Sequence, residues 1–175
     1  MDANALRVAH SSERHDWPTP REFFGEVERL FVDRFGGPFE LDVAADANNH
    51  KAPRWFDEAA NGLAQEWRGR VWCNPPYGRQ VGEWVKKAFR DSERFGAIVA
   101  VLVPARTGAR WFQDWAWKAA EVRFVRARIK FEGAEHSAPF DSALLIYNRD
   151  LTPTRSGPWA PYSHNLELFE MLKRE

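Results

Sequence analysis

The sequence contains a single cysteine, Cys73, among its 175 residues. One cysteine excludes an internal disulfide and any zinc site built from several thiolates, and it fits a reducing compartment. The longest apolar run, residues 97–103, is far shorter than the roughly 20 residues that a membrane-spanning helix needs. The first residues lack the basic start and the apolar stretch of a secretory signal. We therefore expect a cytoplasmic protein without a membrane-spanning segment.

The sequence also lacks a net charge, because 25 basic residues balance 25 acidic ones. The charges are nevertheless segregated along the chain. Residues 1–67 carry 7 basic and 13 acidic side chains, residues 68–130 carry 14 and 5, and residues 131–175 carry 4 and 7. A local cluster of cations can hold phosphate groups even in a neutral protein, so the middle segment is a candidate for binding nucleic acid. The alternative is a surface of ordinary solvated charges.

Clustered metal ligands are missing as well. The five histidines are scattered and do not show the i, i+4 spacing of a metal site on a helix, so we predict that the protein holds no metal. They are His10, His15, His50, His136 and His164.

Hydrophobic residues make up 44% of the chain and aromatic residues 14%, which is too much for a disordered protein. The length suits one domain. We expect a flexible N-terminal arm over residues 1–16, because that stretch is polar and shows no periodicity, followed by a single domain over residues 17–175.

The first half of the chain predicts a helix and three strands. A helix is expected over residues 20–35, with Thr19 as its N-cap, Pro20 at its first position and a glycine pair ending it. Strands are expected over residues 39–45, 70–73 and 97–103, the last one buried on both faces. An amphipathic helix from residue 81 to Gly96 lies between the last two strands. Residues 46–70 follow neither the helical nor the strand period for long.

The second half predicts a helix around residues 111–119 and a final strand over residues 143–147, then a loop and a C-terminal helix. Residues 125–131 alternate strictly, which predicts a strand with Arg126, Arg128 and Lys130 on one face. Alternating strands and helices around an apolar central strand indicate a three-layer α/β fold with a mostly parallel sheet and helices on both faces. Ligands in such folds bind at the carboxyl ends of the strands.

The most specific motif is Asn74-Pro75-Pro76-Tyr77, which directly follows a predicted strand. An exocyclic amine on an aromatic ring is a poor nucleophile, because its lone pair is conjugated into the ring. The side-chain oxygen of Asn74 and the carbonyl of Pro75 could each accept a hydrogen bond from such an amine and favour a tetrahedral nitrogen. Tyr77 could stack on the ring, and a base from a duplex would have to be flipped out to reach it.

Several segments together resemble the small phage-type DNA N-6-adenine methyltransferases, also called Dam-like. The carrying residues span about residues 17–147. They are Trp17-x-Thr19-Pro20 with Phe23 or Phe24, residues 41–45 (LDVAA), Gly62-Leu63 with Trp67, residues 71–77 (VWCNPPY), Leu102-x-Pro104-Ala105-Arg106, and residues 128–131 (RIKF).

This resemblance implies transfer of a methyl group from S-adenosylmethionine to adenine N6 in double-stranded DNA, on a Rossmann-like methyltransferase fold. It implies a catalytic role for the Asn74 to Tyr77 loop. It also implies cofactor contacts at two places: Trp17, Thr19 and Pro20 by the methionine part, and Asp42, Ala44 and Ala45 at a strand end.

Two features of the chain depart from the usual methyltransferase pattern. Alanines stand where a glycine-rich turn is expected after the first strand, and residues 45–70 leave room for at most one further strand, so the sheet should be shortened. Asp57 is a weak candidate for binding the ribose hydroxyls, with a solvated loop carboxylate as the stronger alternative.

For DNA contacts, the sequence offers Arg106, Arg126, Arg128 and Lys130. Two alternative functions stay open at this point. One is methylation of a glutamine side-chain amide in a protein, and the other is a DNA-binding module without catalytic activity. The DNA sequence that is recognised and the oligomeric state do not follow from the chain.

Overall fold

The computed structural model describes residues 17–151. The predicted N-terminal arm, the loop over residues 152–163 and the predicted C-terminal helix lie outside the described residues. In the described part, no helix is both long enough and apolar enough to span a bilayer.

One six-stranded sheet organises the described chain. Its strands are β1 Leu41–Asp42, β2 Arg54–Trp55, β3 Arg70–Cys73, β4 Ile98–Pro104, β5 Glu121–Phe124 and β6 Ser142–Tyr147. They lie in the order β2-β1-β3-β4-β6-β5. Strands β2, β1, β3 and β4 run parallel, and β6 runs antiparallel to both β4 and β5. The α/β fold with a mostly parallel sheet is confirmed, and it is consistent with a Rossmann-like methyltransferase.

Helices cover both faces of the sheet. The helices are α1 Arg21–Phe35, α2 Val81–Phe95 and α3 Arg110–Trp115, and two short 3-10 turns cover Gly62–Ala64 and Ala116–Lys118. Alternate residues of β4 belong to two separate apolar clusters. Val99 and Val101 pack in the cluster that contains α2, whereas Ala100 and Leu102 pack in the cluster that contains α1. The prediction of a central strand buried on both faces is therefore confirmed.

Helix α1 forms where its sequence predicts it, but Thr19 is not its N-cap. Pro20 occupies the cap position, and no side chain caps this end of the helix. The hydroxyl of Thr19 instead accepts a hydrogen bond from the Asn74 amide at 2.9 Å. The other end matches the prediction, because Gly36 adopts a left-handed conformation with φ 75° and its N–H donates to the Val32 carbonyl.

The segment without a clear period, residues 46–70, supplies one short strand and a tightly packed turn. Strand β2 pairs with β1, which is the single extra strand for which the chain leaves room. The turn packs closely, since a Cβ atom on Gly62 would lie only 2.1 Å from the Val43 carbonyl oxygen. The indole of the fully buried Trp67 donates to the Gly62 carbonyl at 2.8 Å. Only a glycine fits this position against β1.

The predicted strand over residues 125–131 is wrong. Strand β5 ends at Phe124, and Ala127 has a φ of 65°, a left-handed conformation that breaks an extended chain. Val125, Ile129 and Phe131 are buried as the alternation suggests, but Ala127 is exposed. The three cations Arg126, Arg128 and Lys130 are exposed on a loop, so they do not form a row on the face of a strand.

Candidate functional site

The carboxyl ends of β1 and β3 lie side by side at one edge of the sheet. Asp42 at the end of β1 pairs with Trp72 in β3, and Asn74 follows two residues later. Because the strands are parallel, the groups that follow them meet at this edge. A small pocket opens there. The residues lining it are Pro18, Thr19, Asp42, Ala44, Asn49, Lys51, Trp72 and Asn74.

The side chain of Asn74 is held in one orientation. Its Nδ2 donates to the Trp17 carbonyl at 2.6 Å and to Thr19 Oγ1 at 2.9 Å. A carbonyl oxygen can only accept, so it fixes which end of the amide faces Trp17. Both donors of the amide are thus engaged by the segment that precedes α1.

The remaining atom of that amide, Asn74 Oδ1, is buried and has no hydrogen-bond partner among residues 17–151. A buried carbonyl-type oxygen without a partner costs about 1–3 kcal/mol, so such atoms are uncommon in folded proteins. Asn74 is one of the residues that line the pocket. The arrangement leaves one strong acceptor unused on a residue that lines the pocket, and an N–H group can bind it once the pocket opens to uncover it.

Proline residues determine how the chain leaves β3. Pro75 and Pro76 have no N–H to continue the ladder, and the Gly78 N–H donates to the Pro76 carbonyl at 3.0 Å. Pro75 is buried and Pro76 is exposed. The loop is therefore a rigid turn that presents Asn74 at the sheet edge, whereas the role of the Pro75 carbonyl stays a prediction.

Tyr77 lies in the core beneath this turn. Its ring meets Phe131 and Phe140 in edge contacts, and its hydroxyl donates to the Leu102 carbonyl at 3.3 Å. Burial raises the pKa of the Tyr77 phenol well above its ordinary value, so the group stays neutral. Only 7% of the residue is exposed. The stacking of Tyr77 on a base stays a prediction, and it requires a movement that uncovers the ring.

Asp42 is a buried carboxylate that organises the loop after β1. Its Oδ1 accepts from the Ala44 N–H at 3.3 Å, and its Oδ2 accepts from the Lys51 N–H at 3.0 Å. Burial raises the pKa of Asp42 from 3.8 to about 6, although these two N–H groups and the charges of Lys51 and His50 oppose the shift. The carboxylate is mostly ionised at neutral pH and lines the pocket.

This pKa predicts a specific pH dependence of stability. Because the pKa of Asp42 is higher in the folded state, the folded protein binds more protons between pH 4 and 6, and this contribution to the free energy of unfolding falls as pH rises. The loss amounts to about 3 kcal/mol by pH 7. Urea unfolding should show the free energy of unfolding of wild type, taken relative to that of Asp42→Asn, falling by about 2–3 kcal/mol from pH 4 to pH 7. A constant difference would contradict the raised pKa.

The other predicted cofactor residues divide between the pocket and its surroundings. Thr19 and Ala44 line the pocket. Trp17 contributes its carbonyl to Asn74 while its ring packs on Phe131 and Phe140. Pro20 and Ala45 do not line the pocket; their backbone groups bond to Phe24 and Phe56.

Asp57, the weak ribose candidate, is exposed after β2, and its carboxylate accepts from the Ala60 N–H at 2.8 Å. This bond closes a local turn. Asp57 does not line the pocket, so its part in binding stays a prediction.

Four pocket residues were not predicted from the sequence as site residues, namely Pro18, Asn49, Lys51 and Trp72. Asn49 and Lys51 lie in the loop between β1 and β2, where the absence of a period gave no guide to their positions. Pro18 lies beside the predicted Trp17 and Thr19. Trp72 is 1% exposed and packs in the apolar cluster that contains α1, and it also lines the pocket. One sequence feature could have identified Asn49 and Lys51 as candidates, because their loop directly follows the strand that ends in Asp42.

The cations of residues 68–130 sort into two groups. Seven of them form ion pairs, including Arg128 with Asp141 at 3.5 Å, and Arg90, Arg94 and Lys118 lie over aromatic rings. The other four are exposed, and no ion pair or ring contact engages them within the described part of the chain. They are Arg79, Arg106, Arg126 and Lys130.

These four residues share one edge of the sheet with Asn74. Arg79 follows β3 and Arg106 follows β4. The loop that begins after β5 emerges at the same edge, because Phe124 pairs with Ala143, beside the pair of Pro104 and Ser142. Arg79 was missing from the predicted set. Among residues 17–151, no group of three or more possible metal ligands occurs. Because this finding covers only part of the chain, the absence of a metal stays a prediction.

Comparison with known proteins gives one family and two relatives. Residues 8–156 match the family model described as DNA N-6-adenine-methyltransferase (Dam). The chain is 33% identical over 113 residues to the DNA N-6-adenine-methyltransferase of Escherichia phage T1, covering 63% of this chain and 44% of that protein. It is 34% identical over 68 residues to the "Putative methyltransferase YfdM" of Escherichia coli (strain K12), covering 35% of this chain and 69% of that protein. The matched segment thus spans less than half the length of the phage T1 protein.

Proposed function

The chain belongs to the DNA N-6-adenine-methyltransferase (Dam) family, and from this membership and the geometry of the site we propose that it transfers a methyl group from S-adenosylmethionine to the N6 amine of adenine in double-stranded DNA. Membership of a methyltransferase family implies a methyl donor. The identity of the donor, the flipped base and the roles of individual residues are parts of the proposal.

The observation that carries the proposal is the unpartnered oxygen of Asn74. An adenine N6 amine has two hydrogens and a lone pair that is delocalised into the ring. An acceptor fixed beside the amine favours a tetrahedral nitrogen with a localised lone pair, and Asn74 Oδ1 is such an acceptor. Its orientation is already set by Trp17 and Thr19, so the amide does not have to turn when the amine arrives, although the pocket must open to uncover the buried oxygen.

The reaction needs alignment more than it needs proton transfer by a side chain. When bound, S-adenosylmethionine supplies a methyl group on a positively charged sulfur that leaves as a neutral thioether. The new N–C bond forms as the S–C bond breaks, and N6 then loses one of its protons to water. The task of Asn74 and the proline turn is to hold N6 in line at near-attack distance.

The residues at the pocket fit the proposed cofactor. The pocket offers a carboxylate from Asp42 and a hydroxyl from Thr19, beside the unpartnered acceptor of Asn74. An amino-acid group carries both signs of charge and several hydrogen-bonding atoms, so a polar pocket suits it better than an apolar one. Asp42, Thr19 and Ala44 are the proposed direct contacts, and Trp17, Pro20 and Ala45 are proposed to shape the surroundings.

DNA is proposed to approach the carboxyl edge of the sheet over β3, β4 and β5, beside the part of that edge formed by β1 and β2. The four cations at the carboxyl edge follow β3, β4 and β5, whereas the proposed cofactor residues flank β1. Phosphate contacts from exposed arginine and lysine side chains position a duplex without reading its sequence. A base flipped out of that duplex would enter between the two groups, next to Asn74.

The proposal is tested by incubating the protein with S-adenosylmethionine labelled on the methyl group. Separate reactions should contain duplex DNA of mixed sequence, RNA, and a glutamine-containing protein, followed by nucleoside and amino-acid analysis. We expect label in N6-methyladenine from the DNA. Label in glutamine would instead support the amide methyltransferase, and cofactor binding that cannot be detected by calorimetry would support the inactive DNA-binding module.

A further inference from the structure

Lys51 places a largely buried positive charge at the pocket. Its side chain is 10% exposed, and it lines the same pocket as Asp42, Thr19 and Asn74. Among the described residues that line the pocket, it is the only cation. A charge so far removed from water requires an anionic partner, because burying it alone is costly.

The backbone holds Lys51 firmly in this position. Its N–H donates to Asp42 Oδ2 at 3.0 Å, and the preceding His50 ring stacks on Trp55 at 4.0 Å between ring centroids. The loop thereby brings a carboxylate and an ammonium group to one pocket. This pair of charges complements an amino-acid group, which carries an ammonium and a carboxylate of its own.

We propose that Lys51 binds the carboxylate of the amino-acid part of S-adenosylmethionine, an inference that rests on the function proposed above. The ammonium of Lys51 forms a charge-assisted hydrogen bond to that carboxylate. Asp42 faces the ammonium of the same group. Lys51 therefore recognises the end of the cofactor that a plain adenosine derivative does not have.

Glu132 is the anion that the cofactor carboxylate replaces. Its Oε1 lies 3.4 Å from Lys51 Nζ, and its own N–H donates to the Pro18 carbonyl at 2.9 Å. The Glu132 side chain is 39% exposed, so it can turn to water at a small desolvation cost, whereas Lys51 cannot. The exchange keeps the buried cation paired before and after the cofactor binds.

The proposal is tested by calorimetric titration of Lys51→Met with two ligands. S-adenosylhomocysteine carries the amino-acid group, and 5′-methylthioadenosine lacks it. Methionine keeps an unbranched apolar stem and removes the charge. We expect the affinity for S-adenosylhomocysteine to fall about tenfold to a hundredfold, the range for a lost hydrogen bond to a charged group. The affinity for 5′-methylthioadenosine should stay unchanged.

Two further variants separate binding from folding. Glu132→Gln removes the competing anion and should leave the affinity for S-adenosylhomocysteine equal or higher. Lys86→Met, on the surface of α2, is the matched control and should change neither affinity. If Lys51 and Glu132 merely hold two loops together, Lys51→Met and Glu132→Gln will each lower the affinities for both ligands by a similar factor. That result would overturn the proposal.

The remaining outcomes are also decisive. An unchanged affinity of Lys51→Met for S-adenosylhomocysteine would remove Lys51 from cofactor binding while leaving the proposed function intact. If wild-type protein binds neither ligand, the proposed function itself fails, and the role of Lys51 fails with it. Should Lys51→Met not fold, as shown by its thermal unfolding, weaker binding of both ligands by Glu132→Gln would still overturn the proposal, and unimpaired binding would support it.

Discussion

Alanine in place of Asn74 is expected to lower kcat for DNA methylation by at least about a hundredfold, the loss typical of removing one preorganised hydrogen-bonding group from a reaction site. The variant removes the only side-chain atom proposed to accept a hydrogen bond from N6. The cofactor affinity should change by no more than a few fold, because Asn74 acts on the amine. Single-turnover methylation and calorimetric cofactor titration measure the two quantities separately.

The same variant has a structural effect that must be measured beside the catalytic one. Loss of the amide leaves the Trp17 carbonyl and the Thr19 hydroxyl without the bonds that Asn74 gives them. We expect the free energy of unfolding to drop by about 1–3 kcal/mol. The rate should therefore be measured well below the unfolding temperature of the variant.

Asn148→Ala is the matched control for Asn74→Ala. Asn148 also follows a buried strand, is partly buried, and uses its amide oxygen to accept from the Asp150 N–H at 2.9 Å. It lies at the opposite edge of the sheet, so its replacement should leave kcat unchanged. Near-normal turnover in Asn74→Ala, or an equal loss in both variants, would contradict the role of Asn74.

Replacing Arg126, Arg128 and Lys130 together is expected to weaken DNA binding and to flatten its salt dependence. Each phosphate contact adds about 0.9 to the slope of log affinity against log salt concentration, so three contacts account for at most about 2.7. When the salt concentration rises from 50 to 200 mM, the wild type should therefore lose up to about fortyfold more affinity for DNA than the triple variant does. The ion pair of Arg128 with Asp141 makes the observed change smaller than this limit.

The control for this variant carries the same change of charge on another surface. Arg90, Arg94 and Lys118 are exposed and lie over aromatic rings beside α2, away from the carboxyl edge. Their joint replacement should leave the salt slope unchanged. If both triple variants flatten the slope equally, binding depends on overall charge, and the loop after β5 has no special part in it.

The sequence predicts those elements whose pattern alone determines their environment. The apolar run ending at Pro104 is a central strand covered on both faces, and the residues from Val81 to Phe95 form a helix with one apolar stripe. In both segments the burial of each residue follows from its position in the period. The strand that ends at Cys73 is likewise predicted, because prolines follow it at once.

The sequence pattern fails to predict the structure where a single backbone angle or a partner distant in sequence determines the conformation. Residues 125–131 alternate as a strand does, but the left-handed conformation of Ala127 ends the extended chain. Alanine rarely adopts this conformation, so the sequence does not predict it. Thr19 has the sequence of an N-cap, yet an amide 55 residues away in the chain uses its hydroxyl. Neither outcome follows from local spacing.

The candidate site was predictable to the extent that strand ends identify it. Asp42 and Asn74 follow neighbouring parallel strands, and the structure brings them to one pocket. Lys51 could not be predicted, because its position depends on the path of a loop without a period. Its contact with Asp42 arises from a backbone hydrogen bond that no sequence pattern encodes.

The most direct measurement is a structure of the protein with S-adenosylhomocysteine and a duplex that contains adenines. We expect an adenine outside the base stack, with its N6 within about 3 Å of Asn74 Oδ1. The sulfur of the ligand should face the same N6. An adenine that remains stacked in the duplex, or one whose N6 lies against other groups while Asn74 Oδ1 contacts only protein, would contradict it.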